Sequence, residues 1–204
     1  MNKLKDNTMN FIIKESTELF LQSSITNVTM SDIAKHVGIG EATLYRYFKK
    51  KQNIVLKVSV NLAKEVFEYY FDFDEKITGG RQLEAFYMVF PKVFVNHPDY
   101  FKFVNQLDAY LLIESDAGTG EYEDKIGQFY DIYKKAYEKG RADGTVNEIE
   151  DLKSFYYGTT HSLLNLCKYL STPAILVQDN DIDKEKEINQ MVNLVLKTLL
   201  VKNS

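Results

Sequence analysis

Two short periodic stretches separated by a three-residue break constrain this chain more than any other feature of it. Thr29-Met30-Ser31-Asp32 has the form of a helix start. The Thr29 hydroxyl can cap free amides while the Asp32 carboxylate reaches back, a capping box in which Asp stands where Glu or Gln is usual. The helix it opens covers 30–37 and stops at Gly38, where a helix end wants a left-handed residue, and a second begins near Glu41, behind Gly40. Ile33, Ala34 and Val37 on the first helix and Leu44 and Phe48 on the second form an apolar seam, with Ala34 small where the two approach. Helix, tight turn, helix is a DNA-binding pattern. Glu41, Ala42, Thr43, Tyr45, Arg46 and Tyr47 lie off the seam, and on a helix in the major groove such residues meet base edges or phosphates. The glycines do not make a nucleotide loop: Gly38-x-Gly40-x-x-Thr43 has neither the third glycine of a dinucleotide fingerprint nor the Gly-Lys-Ser/Thr ending of a P-loop.

The rest of the chain reads as helix. Proline occurs only at Pro91, Pro98 and Pro173, and glycine falls mostly between periodic apolar stretches. The expected fold is all-α with about nine helices, over 4–23, 30–37, 41 onward, 51–73, 82–95, 98–114, 122–141, 149–171 and 184–202. Loops are expected at 115–120, 140–144 and 172–183. A three-helix head, 1–55, would precede a larger helical domain, 56–204. Charge follows the same division: residues 1–55 hold eight Lys and Arg against five acids, or +3, and the remainder carries −7 of the total −4.

Other classes are disfavoured. No apolar run approaches the ~18 residues of a membrane span and the N-terminus lacks a signal-peptide core, so a cytoplasmic location is expected. The single cysteine, Cys167, excludes an internal disulfide and suits a small buried apolar position. His36, His97 and His161 sit on separate segments and no metalloprotease or nucleophile-elbow motif occurs, so no enzyme, metal or cofactor is expected. The acidic run at 179–183 has Lys184 and Gln190 where a calcium loop needs Gly and Glu, and reads as a solvated loop.

The run from Thr29 to Phe48, with Asp32-Ile33-Ala34, the turn glycine, Thr43-Leu44-Tyr45-x-x-Phe48 and then Lys51, resembles the N-terminal domain of the tetracycline-repressor (TetR/AcrR) family over residues 8 to 57. The resemblance implies an all-helical homodimer whose larger domain binds a small effector. It implies that Thr29 touches phosphate, Thr43 lies near bases or backbone, Tyr45 and Tyr47 grip phosphates through their hydroxyls, and Lys51 adds a phosphate contact. Two positions depart: the family commonly has Ser where this chain has Gly40, and a basic or small residue where it has Glu41. Glu41 either accepts from a cytosine amine or is an exposed acid favoured by the helix dipole. Arg46 is either a guanine contact or a phosphate clamp.

The larger domain is rich in aromatics, which suits an apolar cavity with a few polar anchors. Effector contacts are expected among Phe94, Phe103, Tyr110, Tyr133, Tyr137, Tyr156, Thr160 and His161, the last two as interior polar anchors. The last two helices are apolar over more than one face, and Gly158, Ser162 and Asn165 leave room for a symmetric partner, so a homodimer through these helices is expected. The function expected is a repressor released from a palindromic operator by an apolar or amphipathic effector. An activator, or an effector-independent helical DNA-binding or architectural protein, is the alternative.

Overall fold

The computed structural model describes residues 3–71, 74, 76–113, 119–173 and 182–202. Among them the fold is all-α, with ten helices and one isolated bridge, Val146 to Leu200. The helices are α1 (Lys3–Gln22), α2 (Met30–Val37), α3 (Glu41–Phe48), α4 (Lys51–Tyr70), α5 (Gly79–Tyr87), α6 (Val89–Asn96), α7 (Pro98–Ile113), α8 (Gly120–Ala142), α9 (Leu152–Leu170) and α10 (Lys184–Leu199). The tenth arises because the stretch expected as one helix over 82–95 is interrupted at Met88. Of the expected loops, 115–118 and 174–181 lie outside the described residues, as do residue 114 and most of the acidic run at 179–183.

Two compact units share the chain: Met1–Lys64 with Lys102–Lys125, and Glu65–Phe101 with Ile126–Ser204. This differs from a division at residue 55, because all but the first turn of α7 and the start of α8 pack with the N-terminal helices. In the first unit Ile12, Ile33, Leu44, Ile54, Val58 and Leu107 are fully buried. Burying one such aliphatic side chain is worth about 1.5–3 kcal/mol, so the seam between α2 and α3 is what lets two eight-residue helices persist. In the second unit Tyr87, Tyr133, Leu163, Cys167, Ile188 and Val192 form the centre of the core. Cys167 sits there as an apolar residue, its thiol pushed up to about 12 by burial.

Gly79 and Gly80 begin α5, ahead of the start at 82 expected from the sequence. Thr78 caps it, its hydroxyl accepting from the Arg81 amide at 3.3 Å. The Gly79 amide donates to Asp143 Oδ2 at 2.8 Å and the Gly80 amide to Thr145 Oγ1 at 2.9 Å. A methyl group on Gly79 would lie 2.0 Å from the backbone nitrogen of Gly140. Glycine is therefore demanded by a close approach of two backbones. The Thr145 hydroxyl, then the Gly79 amide, hold the Asp143 carboxyl below its ordinary range.

Candidate nucleic-acid interface

The interface is built from α2 outward. Thr29 is extended and its hydroxyl accepts from the Asp32 amide at 3.1 Å, while Asp32 Oδ2 accepts from the Thr29 amide at 2.9 Å and from its hydroxyl at 2.6 Å. The box is complete with Asp in the third position, and those bonds, the Thr29 hydroxyl first, lower the Asp32 pKa. Gly38 ends the helix with φ 76°, and its amide reaches the carbonyls of Ala34 and Lys35. A residue with a side chain is disfavoured in that left-handed region, so the glycine sets where α3 starts.

α3 buries Leu44 and Phe48. Its outer face carries the expected residues: Glu41, Ala42, Tyr45 and Arg46 are exposed, and Thr43 and Tyr47 are half-buried. The Arg46 guanidinium lies 5.6 Å from the centre of the Tyr47 ring, a cation–π arrangement that holds the side chain along the helix. Tyr47 also lines a cleft of about 340 Å³, walled by Met9, by Leu56 and Val60 of α4, and by Glu121 and Tyr122 of α8. Lys57 and Glu121 form an ion pair at its edge. Burial, with the charge of Asp108, pushes the Tyr122 hydroxyl up to about 12. At the far end of α3, the Asn53 side-chain Nδ2 donates to the Phe48 carbonyl at 2.7 Å and joins that end to α4.

One expected site residue is placed differently. Lys51 does not extend from the surface as a phosphate ligand would: its ammonium turns inward to the carbonyls of Ile25 and Val28, at 2.9 Å each. A lysine at a helix start is equally able to satisfy carbonyls of an adjoining turn, and the sequence does not distinguish the two. Glu15, Glu18 and His36 bring their ligand-capable atoms within 4.8 Å of one another on α1 and α2, a grouping not visible from the separate positions of the histidines.

The expected effector residues fall into two groups. Phe103 and Tyr110 are buried in the first unit, whereas Phe94, Tyr133, Tyr137, Tyr156, Thr160 and His161 belong to the second. Tyr133 and Tyr156 share a ring cluster, 5.0 Å apart, with Phe86 and Tyr87 against Tyr133 at 5.3 and 6.0 Å. Phe94 is half-buried beside Phe101, and the Tyr137 hydroxyl accepts from the Ile149 amide at 2.9 Å. Thr160 spends its hydroxyl on the Tyr156 carbonyl at 2.7 Å. His161, expected to be interior, is exposed, because it shares the outward stripe of α9 with Tyr157, Asn165 and Tyr169. A polar pair not anticipated is Tyr87 and Thr159, whose hydroxyls lie 2.7 Å apart. The Tyr133 hydroxyl is buried with no hydrogen bond of ordinary geometry among the described residues, interacting instead with the Tyr87 hydroxyl, and desolvation, first among the causes, raises its pKa.

Comparison with known proteins agrees with this geometry. Residues 12–58 match the family described as bacterial regulatory proteins, tetR family. An uncharacterized HTH-type transcriptional regulator of Bacillus subtilis, YerO, is 24% identical over 174 residues, covering 81% of this chain and 56% of that protein. The match thus spans little more than half the length of the Bacillus relative. An HTH-type transcriptional regulator of Staphylococcus aureus strain USA300 is 29% identical over 140 residues, 62% of this chain and 69% of that one. Among solved structures, a TetR-family regulator from Rhodococcus superposes with a TM-score of 0.74 at 15% identity, covering 93% and 99% of the two chains. The ketosteroid transcriptional regulator KstR2 of Mycobacterium tuberculosis does so with a TM-score of 0.65 at 17% identity, covering 99% and 97%. The capped α2, the left-handed Gly38 and the outward face of α3 thus lie within residues 12–58, the stretch that matches the helix-turn-helix head of the tetR family of bacterial regulatory proteins.

Proposed function

We propose that this protein is a homodimeric transcriptional repressor that binds a palindromic operator in the cytoplasm and is released by a small apolar or amphipathic effector. The observation that carries the DNA reading is the face of α3. Glu41, Ala42, Tyr45 and Arg46 stand outward while Leu44 and Phe48 anchor the helix from behind. Base contacts then come from Glu41, Ala42 and Thr43, and phosphate contacts from Thr29, Tyr45, Arg46 and Tyr47. A single head buries too little for tight binding, and a two-fold pair of heads about one helical turn apart answers that need. The outer faces of α9 and α10 support pairing: Tyr157, Tyr169 and Leu194 are 39%, 48% and 54% exposed in the single chain. The ring cluster around Tyr133, whose buried hydroxyl interacts only loosely with that of Tyr87, supports an effector that is aromatic or apolar and offers a hydrogen-bond acceptor. No catalytic role is assigned.

The test is selection of bound fragments from the source genome by the purified full-length chain, followed by titration of the enriched duplex at 50 and 200 mM salt. Enrichment of an inverted repeat, bound by two chains per duplex and weakened by orders of magnitude at the higher salt, supports the reading. Enrichment of a direct repeat or a single half-site refutes the dimer, and failure to enrich any sequence refutes the regulator.

A further inference from the structure

The turn at residues 25–28 leads directly into Thr29 and so sets the direction from which α2 starts. It is held from outside its own helices. Lys51 Nζ donates to the carbonyls of Ile25 and Val28 at 2.9 Å each and lies 3.5 Å from that of Thr26. The same ammonium sits 4.9 Å from the centre of the Tyr110 ring. From α7, the Gln106 side-chain oxygen accepts from the Ile25 amide at 3.0 Å. Ile25 and Tyr110 are both buried. A lysine ammonium has three donors, and three carbonyls and one aromatic face surround this one, so a phosphate would have to displace partners already made.

We propose that Gln106 and Tyr110 are positioning residues for DNA binding. Together with Lys51 they clamp the 25–28 turn, so that α2 and hence α3 are presented at one fixed angle. Lys51 then acts from inside the protein and not on the DNA backbone. Residues far along the chain thereby become part of the reading head, although none of them reaches the duplex. The inference rests on the DNA-binding function proposed above.

Salt dependence separates a clamp from a phosphate ligand. Removing a phosphate-binding lysine lowers the slope of log affinity against log salt by about 0.9 per chain, whereas removing a clamp weakens binding at every salt and leaves the slope alone. The experiment uses the full-length chain and the duplex it enriches most from a random pool, with wild type, Lys51→Met, Tyr110→Leu, Gln106→Met and Gln106→Glu titrated at four salt concentrations. Exchange of the Ile25 amide proton is followed in the same samples. Gln106→Met is expected to weaken binding about five- to tenfold, the effect of a buried amide left without its acceptor, at an unchanged slope and with faster Ile25 exchange. Gln106→Glu, which keeps the acceptor, recovers both, and Lys51→Met and Tyr110→Leu weaken binding without changing the slope. The clamp is overturned if Lys51→Met lowers the slope by about one unit, or if Gln106→Met speeds Ile25 exchange yet binds as tightly as wild type. A wild-type chain that enriches no duplex defeats the DNA reading itself, and it does so before any variant is compared.

Discussion

Replacing Gly79 by alanine tests whether the close approach beneath α5 organises the second unit. The added methyl would sit 2.0 Å from Gly140 N, 2.4 Å from Gly140 Cα and 2.5 Å from Ala136 O. All three are backbone atoms, so no side chain can swing aside, and relief requires α5 and α8 to part by more than 1 Å from ordinary contact near 3.4 Å. Overpacking of this kind costs about 1–3 kcal/mol, and contact with backbone on both sides places Gly79→Ala at the upper end. Against that stands about 0.4–1 kcal/mol gained by stiffening the unfolded chain. The net loss is about 2 kcal/mol, a fall in melting temperature of roughly 4–8 °C for a chain of this size. Gly127→Ala is the matched control: it lies within α8 with nothing near its would-be Cβ, so alanine should stabilise by about 0.5–1 kcal/mol. Both are read by thermal unfolding followed by circular dichroism. Gly79→Ala melting within a degree of wild type, or the two variants moving the same way, refutes the argument.

Three further outcomes follow from the site and the core. Arg46→Ala should weaken binding similarly on all sequences and reduce the salt slope by about 0.9 per chain, as a phosphate clamp requires; a loss confined to one guanine position would make it a base reader instead. Thr29→Ala should cost about 1 kcal/mol of stability by removing the cap on α2, with Thr29→Asn largely restoring it, measured by urea unfolding; equal losses in both would show that the cap is not what Thr29 supplies. Burial raises the Cys167 thiol from 9.0 to about 12, so the folded chain keeps a proton that the unfolded chain loses first. That contribution is intact below about pH 9 and fades as pH rises toward 12, a decline to which Tyr122 adds above pH 10. Cys167→Val should flatten the early part of the decline, and a variant that follows the wild-type curve point for point would rule the thiol out.

The head was legible because everything that shapes it is local. Thr29, Asp32 and Gly38 act over three to five residues, and the seam from Ile33 to Phe48 closes within one turn of chain. Lys51 and Gln106 were not legible in the same way: a lysine at a helix start suits a phosphate or a carbonyl equally, and the bond from Ile25 to Gln106 spans 81 positions. Gly79 and Gly80 fall outside the helix expected over 82–95 because glycine favours turns, while the reason for glycine at 79 is Gly140 on another helix. His161 could not be phased, since α9 is apolar over most of its circumference and the pattern does not say which face turns inward. The effector candidates divide between the two units for a related reason: aromatic content marks a core, and α7 supplies aromatic residues to both.

The membership of Lys102–Lys125 in the first unit bears on how the protein is made. A chain leaving the ribosome at about 5–20 residues per second exposes the reading head well before the residues that finish its core. From Lys64 to Leu107 the delay is roughly 2–9 s, during which Leu107 has not yet arrived to cover its neighbours and Gln106 has not met Ile25. Nascent heads are thus open to chaperones or to premature contact with other chains, and a transplanted head needs this later segment supplied with it.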